Sequence, residues 1–370
     1  MPRPTPTRSP ENYAAKYPAL ARRWQLSKVS HAHDFGQVML GHDYQTGAPV
    51  FVDERVRLEH ALTVGATGGG KTTYEKNIML QIFRSGRGGI VLDPHGSHPD
   101  SLFHELIVEL EHDGFFESGR VHIIDPNIRN FTVPINFLTG FDDTDFSVLA
   151  DSLLEAVEKV WGGEDTHTKP TLRSVLKMTF SCLAELGLPL TDAKLLYDPH
   201  DSAGFRARTI TKLRNEYARD ELERLHTTSL ERNKHDFRSE IVGPLNRLNE
   251  FFSSEAVRAM LGVVDEPGMP RRTLDLLEIM NKGDILLVNL QDGPGFSKAD
   301  ATLFGALLLR YIFLLASRRT NREPFTLCVD ESARYLTGDG ISEILAETRK
   351  FGIAARFSLQ FMSQAGVPGD

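Results

Sequence analysis

Two hydrophobic rhythms alternate along the chain. Continuous apolar runs at residues 61–64, 88–92, 121–124, 283–290, 325–329 and 353–361 are short and bounded by turn residues, the pattern of strands buried on both faces of a parallel sheet. Between them, residues 74–83 and 99–112 repeat apolar positions with the period of amphipathic helices. Residues 305–315 are apolar nearly all round, which predicts a helix buried between the sheet and a neighbour, and residues 342–350 predict one more helix. Strand and helix in alternation imply a parallel sheet with crossover connections. Residues 37–53 differ: short apolar runs flank Gly41 and the Thr46-Gly47 turn, which predicts a β-hairpin packed against the core.

From 142 to 264 the strand rhythm stops. Helical periodicity takes over at 146–161, 172–186, 207–225, 240–252 and 254–262, and residues 283–290 return the chain to its sheet. The expectation is an α/β fold whose mostly parallel sheet is interrupted by an inserted all-helical domain. It divides the chain into a lead at 1–30, a first part of the core at 31–141, the helical insertion at 142–264 and a second part of the core at 265–370. The lead carries Pro2, Pro4, Pro6 and Pro10 with little periodicity, so it lacks the apolar area to order itself.

Composition narrows the picture only in places. At 370 residues the chain can bury a full core, and a net charge of -8 leaves room for nucleic acid only at a local basic patch. Arg206, Arg208, Lys212, Arg214, Arg219, Arg224, Arg232, Lys234, Arg238 and Arg247 cluster in the helical block, but acids nearly balance them and no aromatics interleave. That pattern reads as a solvated mixed face before a nucleic-acid contact. Cys182 and Cys328 lie far apart without metal-ligand or disulfide spacing, which points to reducing cytosol. The longest apolar run, 306–316, contains Arg310 and is well short of the ~20 residues of a membrane span. With no signal-peptide pattern either, the chain reads as soluble and cytoplasmic, and Arg310 as a partner for a core carboxylate or a side chain reaching outward.

Candidate chemistry centres on Gly65-Ala66-Thr67-Gly68-Gly69-Gly70-Lys71-Thr72, followed by Thr73. It fits G-x-x-x-x-G-K-[ST] and lies between an apolar strand and an amphipathic helix, the context a phosphate loop requires. Glycines let successive backbone N–H groups turn around phosphate oxygens, and the helix aims its positive end at the same charge. Lys71 would reach the outer phosphates of ATP, and the Thr72 hydroxyl would join the shell of a Mg2+ ion.

The run at 325–329 ends in Asp330-Glu331: the first suits a magnesium shell, the second a base that polarises water. Gln360, near the end of the next strand, either senses a terminal phosphate, places the water, or simply caps a strand end. Arg349 either crosses a subunit boundary or is a helix C-terminal cation favoured by the dipole. Asp93, His95 and Asp125 follow apolar strands and fall on the rim where parallel sheets bind ligands. With no cysteine or close carboxylate to complete a metal set, His95 and His98 read as solvated imidazoles of a polar turn rather than as catalytic groups.

Taken in order, these pieces resemble a known family. They are the phosphate loop, Leu92-Asp93-Pro94-His95-Gly96, Ile124-Asp125-Pro126 followed by Pro134-Ile135-Asn136-Phe137-Leu138, Val329-Asp330-Glu331, Glu347-Thr348-Arg349-Lys350-Phe351-Gly352, and Gln360-Phe361-Met362-Ser363-Gln364. Their order and spacing, including the helical insertion, resemble the FtsK–HerA superfamily of ring-forming DNA-pumping ATPases, most of all the cytoplasmic ATPase domain of TraG/TraD-type conjugative coupling proteins of type IV secretion.

The resemblance implies a RecA-like P-loop NTPase core that hydrolyses ATP with Mg2+. It implies Lys71 and Thr72 on phosphate and magnesium, Asp330 and Glu331 as the second acidic motif, Gln360 as sensor, and Arg349 as an arginine finger completing a neighbour's site. It also implies a hexameric ring around single- or double-stranded DNA, with DNA-stimulated turnover and secretion or relaxosome proteins as partners. Two departures stand out: the chain carries no membrane span, and it stops at Asp370, short of the family's next core strand and helix, which leaves an edge open beside the phosphate-loop strand. The second departure keeps in play a nucleotide-gated assembly module with little hydrolysis; because the same core can serve either cargo and the acidic charge is indifferent, a protein-translocating secretion ATPase stays in play as well.

Overall fold

The computed structural model describes residues 37–128, 133–141, 146–161, 170–230, 235–266, 268–336, 348–361 and 364. The lead at 1–30 and most of the helix expected at 342–350 lie outside the described residues.

Six strands form one all-parallel sheet: β3 (Ala61–Val64), β4 (Gly89–Asp93), β5 (Val121–Ile124), β6 (Ile285–Asn289), β7 (Phe325–Val329) and β8 (Ile353–Leu359). Their spatial order is β3-β8-β7-β4-β6-β5. The two earlier strands, β1 (Gln37–His42) and β2 (Pro49–Asp53), make a separate two-stranded sheet joined by a turn in which Asp43 accepts from the N–H groups of Gln45 and Thr46. The Gln81 amide braces this small sheet, accepting from Met39 N–H at 2.9 Å and donating to the Met39 carbonyl at 3.0 Å.

All five residues of β4, β6 and β7 are buried, because helices cover both faces of the sheet. On one face Val91, Ile285, Leu287 and Cys328 pack under α1 (Lys71–Arg84) and α2 (Leu102–His112). Successive residues of a strand point to opposite faces, so Ile90, Leu92, Leu286, Val288, Leu327 and Val329 turn the other way. There they join a second core built on α10 (Lys298–Ala316). That helix is buried nearly all round, as its composition predicts, and starts with a capping box between Ser297 and Asp300.

Between β5 and β6 the chain is helical: α3 (Phe146–Trp161), α4 (Pro170–Glu185), α5 (Phe205–Lys212), α6 (Glu216–Leu230), α7 (His235–Phe251), α8 (Glu255–Leu261) and α9 (Leu276–Lys282), with single turns between them. The helices α3 and α4 share one continuous apolar core with α10 and the sheet face beneath it. The single helix expected at 207–225 is two. Its break at Leu213 is closed by Glu185, which accepts from the N–H groups of Arg214 and Asn215, and by Asn215, which caps Ala218 N–H at 2.9 Å.

The phosphate-loop strand β3 pairs only with β8 and lies at one end of the sheet among the described residues. Leu62 and Val64, which share one face of it, are 42% and 38% exposed.

Candidate functional site

Because every strand runs the same way, the segments leaving their carboxyl ends meet along one rim. In spatial order these are the glycine loop after β3, Gln360 after β8, Asp330-Glu331 after β7, the Asp93–Gly96 turn after β4, Gln291 after β6 and Asp125 after β5. The sheet thus brings Lys71, Gln360, Asp330 and Glu331 to neighbouring strands. Asp125 shares the rim but sits on the far edge strand, where it accepts from Asn127 N–H and closes its own turn.

The loop Gly65–Gly70 is anchored where Gly65 N–H donates to the Leu359 carbonyl at 3.2 Å, just past the β3–β8 ladder. Gly68 and Gly70 adopt φ of +78° and +84°, conformations that favour glycine and turn the chain back into α1. Gly70 is the N-cap residue and provides no side chain, so the first-turn N–H groups of α1 have no side-chain partner. Lys71 opens the helix and its ammonium folds back to the carbonyls of Gly65 (2.5 Å) and Ala66 (3.2 Å). An open helix N-terminus, a glycine loop and a lysine within reach of both fit a polyphosphate. Thr72 and Thr73 follow in the first turn of α1.

Asp330 and Glu331 stand at the end of β7, where Asp330 N–H extends the ladder to the Leu92 carbonyl. Burial, reinforced by the Asp93 carboxylate, pushes Asp330 up to about 6. A half-buried carboxylate beside another carboxylate suits a divalent cation. No cluster of three or more His, Cys, Asp or Glu suited to a metal occurs among the described residues, so such an ion would take its remaining ligands from phosphate and water.

Glu331 has φ 46° and ψ 48°, a left-handed conformation that costs about 1–2 kcal/mol in a residue with a side chain. Its Oε1 accepts from Gln360 Nε2 at 2.8 Å and lies 3.1 Å from His95 Nε2, while Arg334 Nε is 3.8 Å from Oε2. The hydrogen bond to His95 is the main reason that Glu331 is held down to about 2, and the same bond raises the His95 imidazole above its ordinary value.

His95 is the residue whose reading the structure changes. The sequence suggests a solvated turn imidazole, and the side chain is 51% exposed, yet it reaches across to the Glu331 carboxylate. Asp93 aims it: fully buried, Asp93 accepts from His95 N–H at 2.7 Å and from Phe103 N–H at 2.8 Å, stapling the turn to the start of α2. Gly96 has no room for a side chain, since a Cβ there would lie 2.4 Å from the Asn289 side chain. His98 stays in the turn, accepting from Asp100 N–H.

Arg349 does not join this group. It lies in a 3-10 turn, Arg349–Phe351, at the amino end of β8 and therefore on the opposite rim, 59% exposed and 3.4 Å from Glu59. Sequence reasoning also passed over Arg356 and Glu75, a buried ion pair (2.8 Å) that ties β8 to α1, with Thr63 donating to Glu75 at 2.5 Å. Its signal was present as an arginine inside an apolar strand. In the helical block Arg206 is no solvated surface charge: it is fully buried and donates to the Leu196 and Asp198 carbonyls and Ser229. Arg310 reaches outward to pair at 3.1 Å with Glu155 of α3, an exposed carboxylate rather than one in the core.

No protein-family profile matches the chain, and no curated protein does. Solved structures match in fold. Plasmid coupling protein TrwB in complex with ADP and Mg2+ aligns at TM-score 0.54 and 16% identity, over 92% of this chain and 71% of that one. The bacterial conjugative coupling protein TrwBdeltaN70, in a trigonal form with sulphate, gives 0.54 and 17% over the same shares. VirB4 of Thermoanaerobacter pseudethanolicus gives 0.51 and 15%, over 92% of this chain and 80% of that one. The chain therefore has an α/β, RecA-like P-loop ATPase fold, similar to that of conjugative coupling protein TrwB and of VirB4.

Proposed function

We propose that this protein is a magnesium-dependent ATPase of the conjugative coupling and type IV secretion kind, which assembles as a hexameric ring and moves DNA. The observation that carries the reading is the convergence of the glycine loop with Lys71, the Asp330-Glu331 pair and Gln360 on adjacent strand ends of one parallel sheet. The fold likeness to a plasmid coupling protein in complex with ADP and Mg2+ supports it independently.

On this reading the backbone of Gly65, Ala66, Thr67, Gly68, Gly69 and Gly70, the N-terminus of α1 and Lys71 hold the phosphates of ATP, with Thr73 closing the loop. Thr72 and Asp330 would hold Mg2+, which would supply positive charge to the phosphate oxygens. Glu331 accepts the proton of a water whose oxygen bonds the terminal phosphorus as the bond to the bridging oxygen breaks, leaving ADP and phosphate. Gln360 orients that water or contacts the terminal phosphate. Arg349, on the far rim of its own sheet, serves a neighbour's site, as a head-to-tail ring allows.

ATP turnover measured with and without DNA, at low and raised salt, tests the reading. Turnover is expected to need magnesium, to rise with DNA, and to lose that rise as salt increases, because contacts to the phosphate backbone weaken steeply with ionic strength. Turnover indifferent to single- and double-stranded DNA at low salt would remove DNA from the account.

A further inference from the structure

The Asp93-Pro94-His95-Gly96 turn is built with more care than a solvated loop needs. Asp93 spends both carboxylate oxygens on backbone N–H groups, at 2.7 and 2.8 Å. Asn289, at the end of β6, donates to Ser97 Oγ, and Gln291 accepts from Ser97 N–H at 2.8 Å, fixing the turn from the neighbouring strand. The product of this bracing is one aimed imidazole, with Nε2 3.1 Å from Glu331 Oε1.

That oxygen also accepts from the Gln360 amide at 2.8 Å, so an amide and an imidazole crowd the same oxygen, and Arg334 stands beside the other at 3.8 Å. An oxygen so crowded leaves a water little room to approach it and give up a proton. The arrangement keeps the candidate base in place and quiet. Both donors on Oε1 are N–H groups, which a phosphate oxygen would also accept.

We propose that His95 is a latch on Glu331: with Gln360 it holds the carboxylate masked until a terminal phosphate competes for the same two donors and frees the base. The proposal rests on the ATPase reading above and adds its regulation: hydrolysis waits for a correctly seated triphosphate. His95 is thus a positioning residue acting through Glu331.

The test uses the full chain with two variants. His95→Ala removes the donor, whereas His95→Gln keeps an Nε2 donor at nearly the same reach. Basal ATP turnover of His95→Ala is expected to rise about tenfold, the scale set by one charge-assisted contact. His95→Gln, which keeps a donor, should rise less than His95→Ala. Where the parent turns over ATP, a fall or no change in His95→Ala overturns the latch.

The second readout needs no turnover. The side-chain 15N resonance of His95, assigned by its absence in His95→Ala, should move on Glu331→Gln. It should also move when a non-hydrolysable ATP analogue with magnesium is added, and not when ADP with magnesium is added. A resonance unchanged by Glu331→Gln, or moved alike by ADP and the analogue, overturns the latch. If the resonance responds only to the analogue while neither parent nor variant hydrolyses ATP, the latch stands and the ATPase reading fails.

Discussion

Arg356 and Glu75 decide how rigidly the candidate site is held. Lys71 and Glu75 are one turn apart on α1, and Gln360 directly follows β8, the strand that carries Arg356, so the pair fixes the helix that begins the phosphate site against the strand that leads to Gln360. Removing one partner leaves a charge buried and alone. Arg356→Met should therefore lower stability by about 3–5 kcal/mol, and the double variant Glu75→Leu/Arg356→Met should recover most of that loss in urea unfolding. Gly96 admits a similar argument: Gly96→Ala must push a Cβ into Asn289, so a loss of about 1–3 kcal/mol is expected, with the His95 resonance displaced. At this scale the sequence was legible where one residue type has one use. The positive φ of Gly68 and Gly70, and the placing of Lys71 and Asp330-Glu331 along one rim, are of that kind. His95 was not, because its meaning depends on β4 and β7 lying side by side, which no local pattern encodes.

Among the elements, the strands could be read directly, since a run buried on both faces has no polar alternation to blur it. Helix ends were harder. The break between α5 and α6 depends on Glu185, which reaches over from α4 to take two backbone N–H groups, a tertiary contact invisible to periodicity. The element that couples the helical block to the sheet is α10. Its Tyr311 hydroxyl donates to the Thr139 carbonyl at 3.0 Å, and burial pushes that phenol up to about 12. The sign follows from the unfolded value near 10: the folded state keeps the proton longer, so stability is full below about pH 10 and falls as pH climbs toward 12. Tyr311→Phe should cost about 1 kcal/mol at neutral pH and narrow or reverse that deficit above pH 10, when both proteins are unfolded across a pH series.

For the whole molecule, strand order is what the sequence could not state and what matters most. The order β3-β8-β7-β4-β6-β5 puts the glycine loop at the sheet's end with Gln360 and Asp330-Glu331 next in line, and leaves Arg349 on the other rim. If Arg349 completes a neighbour's site, two inactive variants should complement. Lys71→Ala and Arg349→Ala, each expected to turn over ATP poorly alone, should regain turnover when mixed, because some interfaces pair an intact loop with an intact arginine; no recovery would confine Arg349 to its contact with Glu59.

The central claim is that the rim hydrolyses ATP with Glu331 as base, and a comparison of ATP affinity with magnesium-dependent turnover in the parent and in Glu331→Gln tests it most directly. The account predicts affinity within about threefold of the parent and turnover lower by about 10²–10⁴-fold, the range for a lost general base. A Glu331→Gln variant that hydrolyses ATP as fast as the parent would contradict it.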